Sequence, residues 1–258
     1  MGKTIAIANQ KGGVGKTTTS INLAASLAAA RRRVLLIDLD PQGNATMGSG
    51  IDKHGIASSS YDVLMNEVTI TDAMVPVEHS NYMLLPGNGD LTGAEVGLLD
   101  EFARELRLRH SLDPIRDDYD YIIIDCPPTS SMLTINALVA ANAVMVPMQC
   151  EYYALEGLSG LLQTIEKIRK ILNPELHLEG LLRTMYDARN NLANQVSAQL
   201  VKHFGDKVYG TVIPRNVRLA EAPSHGLPVL LYDKNCSGAL AYLALAGELL
   251  RRDREAAA

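Results

Sequence analysis

Tryptophan is missing from this 258-residue sequence, phenylalanine occurs twice and cysteine three times. Cys126, Cys150 and Cys236 form no CxxC pair and no even disulfide framework. A secreted, disulfide-stapled scaffold is therefore excluded, and a reduced, cytosolic compartment is expected. No apolar run reaches the roughly 18 residues of a membrane-spanning helix. The first strand signal begins at Ile5, too early to leave room for a secretory signal. Basic excess is also lacking: 24 Lys and Arg against 29 Asp and Glu give a formal charge of −5. No global positive field advertises a nucleic-acid partner, so any such binding needs a local patch. What the chain has is Ala, Leu, Val and Ile in quantity, with 47% hydrophobic residues. That composition suits helices packed on a buried parallel sheet, and the length can supply a full-sized core.

The strongest signal runs from Ala6 to Leu23. A short apolar run, Ile5 to Ala8, reads as a buried strand. A Gly-rich turn follows, and a helix opens at Lys16. This is the strand–loop–helix context of a phosphate-binding loop. Without a Cβ, glycine lets successive backbone N–H groups close on a phosphate, and the positive end of the helix dipole adds attraction. The predicted cradle comprises Lys11, Gly12, Gly13, Val14, Gly15, Lys16, Thr17 and Thr18. Lys16 can reach the β- and γ-phosphates, and the Thr17 hydroxyl can ligate Mg²⁺. The general pattern Gly-x-x-x-x-Gly-Lys-[Ser/Thr] would place glycine at position 10. Gln10 stands there instead, and a second lysine, Lys11, lies inside the loop.

Two further segments carry acids. The run Val34 to Asp40 reads as a strand ending in Asp38-Leu39-Asp40-Pro41, with both carboxylates on one face. Pro41 ends the ladder, so Asp40 is expected at the carboxyl tip, where open α/β sheets bind ligands. The segment Tyr119-Asp120-Tyr121-Ile122-Ile123-Ile124-Asp125-Cys126-Pro127-Pro128 carries a buried β-branched run ending in Asp125. It has the form of a Walker B strand whose acid holds Mg²⁺ through water. A phosphate cradle, a Mg²⁺ acid and a second acid at a strand tip together point to nucleoside triphosphate hydrolysis, with Asp40 orienting or deprotonating the attacking water.

The remaining chain alternates strands and helices. Strands are expected at Met83–Pro86, Ala143–Cys150, Leu178–Met185 and Val208–Pro214. Helices are expected at about 98–112, 158–172, 192–204 and 237–252. Segment 42–80 reads as loops with brief helices, and Arg31-Arg32-Arg33 as charges complementing the end of the first helix. No linker or repeat interrupts the pattern. It predicts a single doubly wound α/β domain over 1–258, a mostly parallel sheet with helices on both faces.

The loop with its additional lysine resembles that of the ParA/MinD group of deviant Walker A ATPases. The segments 38–44, 125–128, 149–158, 184–189 and 213–219 are similar to chromosomal ParA proteins of the Soj type. Departures are confined to details such as Ala220 and His225. The resemblance implies an ATP- and Mg²⁺-dependent switch of chromosome segregation with slow intrinsic turnover. Lys11 would reach the nucleotide of the other subunit in a homodimer, and Pro214 and Asn216 would contact the adenine. Arg189 and Arg218 match positions linked to DNA binding. The implied partners are nonspecific double-stranded DNA and a ParB-type activator, with no membrane. The implied location is the nucleoid of a bacterial cytoplasm. No helix-turn-helix segment precedes the loop strand, so operator binding is not expected. Two alternatives stand beside this reading. One is a MinD-like membrane-cycling ATPase, which needs an amphipathic final segment that the polar tail after Leu250 does not supply. The other is a metabolic ATP-dependent enzyme of the same fold.

Overall fold

Period-2 alternation with apolar residues on both faces marks the central strands and fixes the layering. The computed structural model describes residues 2–152 and 154–256. Met1, Ala257, Ala258 and the Tyr153 of the 149–158 motif lie outside them. Eight strands form one sheet: β1 (Lys3–Ile7), β2 (Val34–Asp38), β3 (Val75–Val77), β4 (Tyr82–Leu85), β5 (Tyr121–Asp125), β6 (Ala143–Gln149), β7 (His177–Tyr186) and β8 (Val208–Pro214). Their order is β3-β4-β2-β5-β1-β6-β7-β8. Every neighbouring pair is parallel except β3 with β4. β3 sits at an edge, where Pro76 costs no ladder hydrogen bond.

On one face, Ala6, Leu35, Ile37, Ile122 and Ile124 meet the helices Met132–Ala140, Ala154–Ile171 and Asn191–Phe204. On the other, Ile5, Ile7, Leu36 and Ile123 meet α1 (Lys16–Ala29) and the helix Ser237–Ala256. This is the doubly wound, mostly parallel architecture that the sequence predicts. Strand order reverses about β1, which lies between β5 and β6. The carboxyl tips of these strands therefore open the crevice in which such sheets bind ligands. Among the described residues, no helix is long and apolar enough to cross a membrane.

Three local expectations are corrected. β2 ends at Asp38, two residues early, because the chain turns there: the Asp40 N–H donates to Asp38 Oδ1 (3.1 Å). The continuous helix expected over 98–112 is broken into the 3-10 turns Leu98–Asp100 and Arg104–Leu106 and the helix Arg107–Leu112. Ala103 is left-handed (φ 53°) and the Phe102 side chain stands in solvent, so the apolar spacing there is not one buried face. Finally, α1 closes at Ala29 with no basic residue in its last turn, and Arg33 pairs with Asp120 (3.1 Å) instead of capping the helix.

Asn173 shows how a single buried amide secures this frame. Its Nδ2 donates to the carbonyls of Leu138, Val139 and Ala141 (3.0, 3.1 and 2.7 Å), closing the end of the helix Met132–Ala140. Helix ends leave such acceptors unpaired, and burying them without a donor is costly. Asn173→Ala is expected to lower unfolding stability by about 2 kcal/mol in urea denaturation. A loss under about 0.5 kcal/mol would show that these carbonyls find other donors.

Candidate active site

The loop between β1 and α1 is shaped by two glycines in the left-handed region, Gly13 (φ 72°) and Gly15 (φ 87°). Gly15 occupies the N-cap of α1 and offers no side chain to the first-turn N–H groups. Those donors are left for an anion at the positive end of the helix. A Cβ placed on Gly12 or Gly13 would meet nothing within 4 Å, so this side of the loop faces open space. The loop is held from behind. Asn9 accepts from the Lys11 N–H (3.0 Å) and donates to the Pro147 carbonyl (2.8 Å). Gln149 donates to the Gly13 carbonyl (3.2 Å) and the Thr184 hydroxyl to that of Val14 (2.7 Å). Two loop carbonyls are thus anchored to β6 and β7.

Lys16 lies at the start of α1, 7% exposed, with Nζ 3.3 Å from the Lys11 carbonyl. Burial lowers its pKa, against the opposing pull of Asp125, Cys126 and Asp40. Asp125 ends β5, in register with Ile7 of β1 and with Asp38 of β2. Its Oδ1 accepts from Ser20 Oγ (2.8 Å), while Oδ2 is buried with no hydrogen-bond partner. Burial, reinforced by the nearby Asp38, pushes this carboxyl up, and the Thr17 and Ser20 hydroxyls pull it back. An orphaned carboxylate oxygen beside a threonine hydroxyl suits a hard, hydrated divalent cation. Among the described residues no group of three or more His, Cys, Asp or Glu side chains could hold a metal ion. The donor set therefore fits Mg²⁺ bound through Thr17, Asp125, water and ligand phosphates, not an all-protein cage.

The two acids at the end of β2 differ in their surroundings. Asp38 is fully buried and accepts from the Thr46 N–H and hydroxyl (both 2.8 Å). Burial raises its carboxyl to about 6. Asp40, 8% exposed, accepts from the Gln42 N–H (3.0 Å) and stands beside the Lys16 ammonium and Asp125. Lys16, Thr17, Asp40 and Asp125 are thus brought together. Lys11 is not among them. Its side chain is half exposed and its ammonium is bound to Glu151 (2.5 Å). Cys126 is a core residue whose thiol is raised by burial.

Pro214 and Asn216 line a cavity of about 190 Å³ that also touches Gly15, Thr18 and Thr184. Asn216 caps the short helix Val217–Glu221 through Oδ1 (Arg218 N–H, 2.8 Å) and donates from Nδ2 to Ser237 Oγ (2.8 Å). Arg189 and Arg218 follow the paired tips of β7 and β8, where Tyr186 is in register with Pro214. Arg218 sits in that short helix, because Asn216 nucleates a turn immediately before it. Each arginine is ion-paired within the chain: Arg189 with Asp187 (2.8 Å), Arg218 with Glu221 (2.8 Å) and Asp233 (3.5 Å). The residues that the sequence alone did not single out are Ser20, Thr46, Gln149, Thr184 and Arg215. Only Ser20 carried a local signal, lying one helical turn after Lys16 on the same side.

A family model described as an AAA domain matches residues 2–178. Over 254 residues the chain is 68% identical to an uncharacterized protein of Pseudomonas putida, covering 98% of this chain and 97% of the relative. It is 55% identical over 249 residues to the sporulation initiation inhibitor protein Soj of Bacillus subtilis, covering 96% of this chain and 98% of that protein. The chain belongs to the Soj/ParA family of chromosome-partitioning proteins. A solved structure of cobyrinic acid a,c-diamide synthase from Mycobacterium smegmatis, with bound ADP and magnesium, matches with a TM-score of 0.86 at 39% identity. That match covers 98% of this chain and 96% of the other. In this Soj/ParA chain the buried Lys16 is the fixed cation nearest the uncapped helix end. Lys16→Ala is expected to weaken Mg²⁺–ATP binding by about 10- to 100-fold, the scale of losing a hydrogen bond to a charged group. Calorimetric titration that returned the parent affinity would remove Lys16 from the site.

Proposed function

We propose that the whole chain acts as one ATPase domain, an ATP-dependent dimerising switch of chromosome or plasmid segregation. The observation that carries this reading is the convergence of four groups at the tips of β1, β2 and β5. They are Lys16 and Thr17 at the uncapped start of α1, the buried Asp40, and Asp125 with its unpartnered oxygen. In this assignment Lys11, Gly12, Gly13, Val14, Gly15, Lys16, Thr17 and Thr18 cradle the phosphates, and the cavity at Pro214 and Asn216 takes the adenine. Mg²⁺, when bound through Thr17 and Asp125, neutralises charge on the phosphates. Asp40 places the attacking water, and Lys16 balances the charge that develops on the phosphates.

The Lys11 side chain is half exposed and paired with Glu151, and Gly12 faces open space. Both features support a second subunit approaching the loop, with Lys11 reaching across to its nucleotide. The dimer would present Arg189 and Arg218 twice, giving an acidic protein a local basic surface for nonspecific double-stranded DNA. Hydrolysis stimulated by a ParB-type partner would then dissolve the dimer, in a bacterial cytoplasm at the nucleoid. The Mycobacterium smegmatis likeness favours a second reading, a metabolic ATP-dependent amide synthase. It ranks below the first because the partitioning relatives are more similar, at 49–55% identity over at least 96% of this chain. ATP turnover that depended on a small carboxylic acid and ignored DNA would reverse that order.

Binding needs the cradle, whereas hydrolysis needs a placed water. Asp40→Ala is therefore expected to retain ATP, accumulate the dimer and lose about 10²-fold or more in turnover. Sedimentation and phosphate release measure the two effects, and parent turnover would move the catalytic role elsewhere.

The DNA assignment makes a quantitative demand. Two arginines in each of two subunits would neutralise roughly four phosphates, for a log–log salt slope of about −3.6. Arg189→Ala or Arg218→Ala should each flatten the slope by about 1.8 and leave ATP-driven dimerisation intact. Variants with the parent affinity and slope on random-sequence DNA would refute this placement.

A further inference from the structure

Arg189 is 90% exposed yet not free. Its Nε and Nη2 donate to the two oxygens of Asp187 (2.9 and 2.8 Å), and its own N–H donates to Oδ1 (3.0 Å). A guanidinium so engaged presents a neutral pair to an approaching phosphate. Asp187 has a second cation within electrostatic reach, Arg215, which follows Pro214 at the tip of β8. Arg215 borders two cavities. One is the cavity of Pro214 and Asn216, and the other, of about 150 Å³, is lined by Gln149, Glu151, Tyr186 and Asp187. Among the described residues Arg215 has no ion pair of its own, so it is the uncommitted charge between the two.

We propose that Asp187 masks Arg189, and that Arg215, displaced by a nucleotide entering the cavity of Pro214 and Asn216, takes over this carboxylate and frees Arg189 for a DNA phosphate. The proposal rests on the DNA-binding reading above and adds to it the residue that links nucleotide to DNA. Protonation cannot open the mask near neutral pH, because Arg189 itself, through its side-chain hydrogen bonds, holds the Asp187 carboxyl down at about 2. Release therefore needs a competing cation. An exposed pair of this kind is held by no more than about fivefold, so a neighbouring guanidinium suffices. Arg218 is not the competitor: its partners are Glu221 and Asp233. Arg215 is thus a positioning residue, acting on DNA through Asp187.

Two measurements test this. In nitrogen-15 spectra the Arg189 Nε–Hε resonance, identified by its loss in Arg189→Lys, should sit at a paired position in nucleotide-free protein. Saturating Mg²⁺–ADP should move it toward its position in Asp187→Asn, and Arg215→Ala should abolish that movement. A resonance unmoved by nucleotide in the parent protein would overturn the proposal. The second measurement is anisotropy on a random-sequence duplex with saturating ATPγS, the dimer being verified by sedimentation. Arg215→Ala should weaken DNA binding by roughly 5- to 25-fold, one to two exposed masks restored per dimer. Adding Asp187→Asn should bring affinity back, although Asp187→Asn alone changes the parent little in this state. Equal gains from Asp187→Asn in both backgrounds would reveal a plain charge effect and overturn the mask. A parent protein that bound no DNA while the resonance still moved would instead overturn the DNA reading and leave the mask standing.

Discussion

A helix that begins at a left-handed glycine, with no side chain to cap it, is the constraint around which the other parts are arranged. An ordinary N-cap side chain would accept from one of the first N–H groups of α1, and Gly15 forgoes that bond at a cost of about a few tenths of a kcal/mol. The cost is offset from outside the helix. Thr184 and Gln149 reach in from β7 and β6 to hold the Val14 and Gly13 carbonyls, and Asn9 ties the loop to β6. The N–H groups then remain available without the loop having to unravel to expose them. Parallel pairing of β1 with β5 and β6 follows from the same need. Only a central strand puts the loop within reach of acids delivered by β2 and β5 and of anchors delivered by β6 and β7.

Those acids would be destabilising without the lysine and a cation. Asp38 and Asp125 are fully buried and in register with each other across β2 and β5, and both carboxyls are raised chiefly by burial. Asp38 is satisfied by Thr46 and by the Asp40 N–H, which makes it a scaffold for the turn that presents Asp40. Asp125 is left half satisfied. Buried polar atoms without partners are rare, and one at a strand tip beside a threonine hydroxyl and a lysine signals a ligand-dependent site. The distinction between a structural and a reactive acid therefore comes from hydrogen-bond partners, not from position along the strand.

That distinction sets the limit of what was legible in the amino-acid order. The loop at 11–18, the strand ending at Asp125 and the alternation of elements could be read because each is local: glycines, a lysine and β-branched runs act on their immediate neighbours. Asp40 could be singled out at the strand tip, but the scaffold role of Asp38 was not legible because it depends on Thr46 and on a turn that ends β2 early. The anchors Gln149 and Thr184 lie 136 and 170 residues from the carbonyls they bind, beyond any periodicity. Segment 98–112 misled because leucines at helical spacing are indistinguishable from a buried face until Ala103 breaks it. Asn216 was read toward a ligand, whereas its amide also caps a helix, a task visible only once the helix exists.

Three basic groups to which contacts outside the chain are assigned, Lys11, Arg189 and Arg218, are each paired with an acid of the same chain: Glu151, Asp187 and Glu221. None of these pairs is deeply buried, and exposed pairs contribute little to stability, so they are poor explanations of the fold. If the proposed assignments hold, as a set they would explain how an acidic chain carries basic contact residues without offering them indiscriminately. Each cation keeps a near-neutral surround and a defined orientation, and each can be exchanged to a phosphate for the small cost of an exposed pair. A partner that offers several phosphates at fixed spacing gains from several such exchanges at once, while free anions gain from one. In the proposed dimer, selectivity for an extended, regularly charged partner would then follow from weak internal pairing repeated on two subunits, without any strongly basic patch.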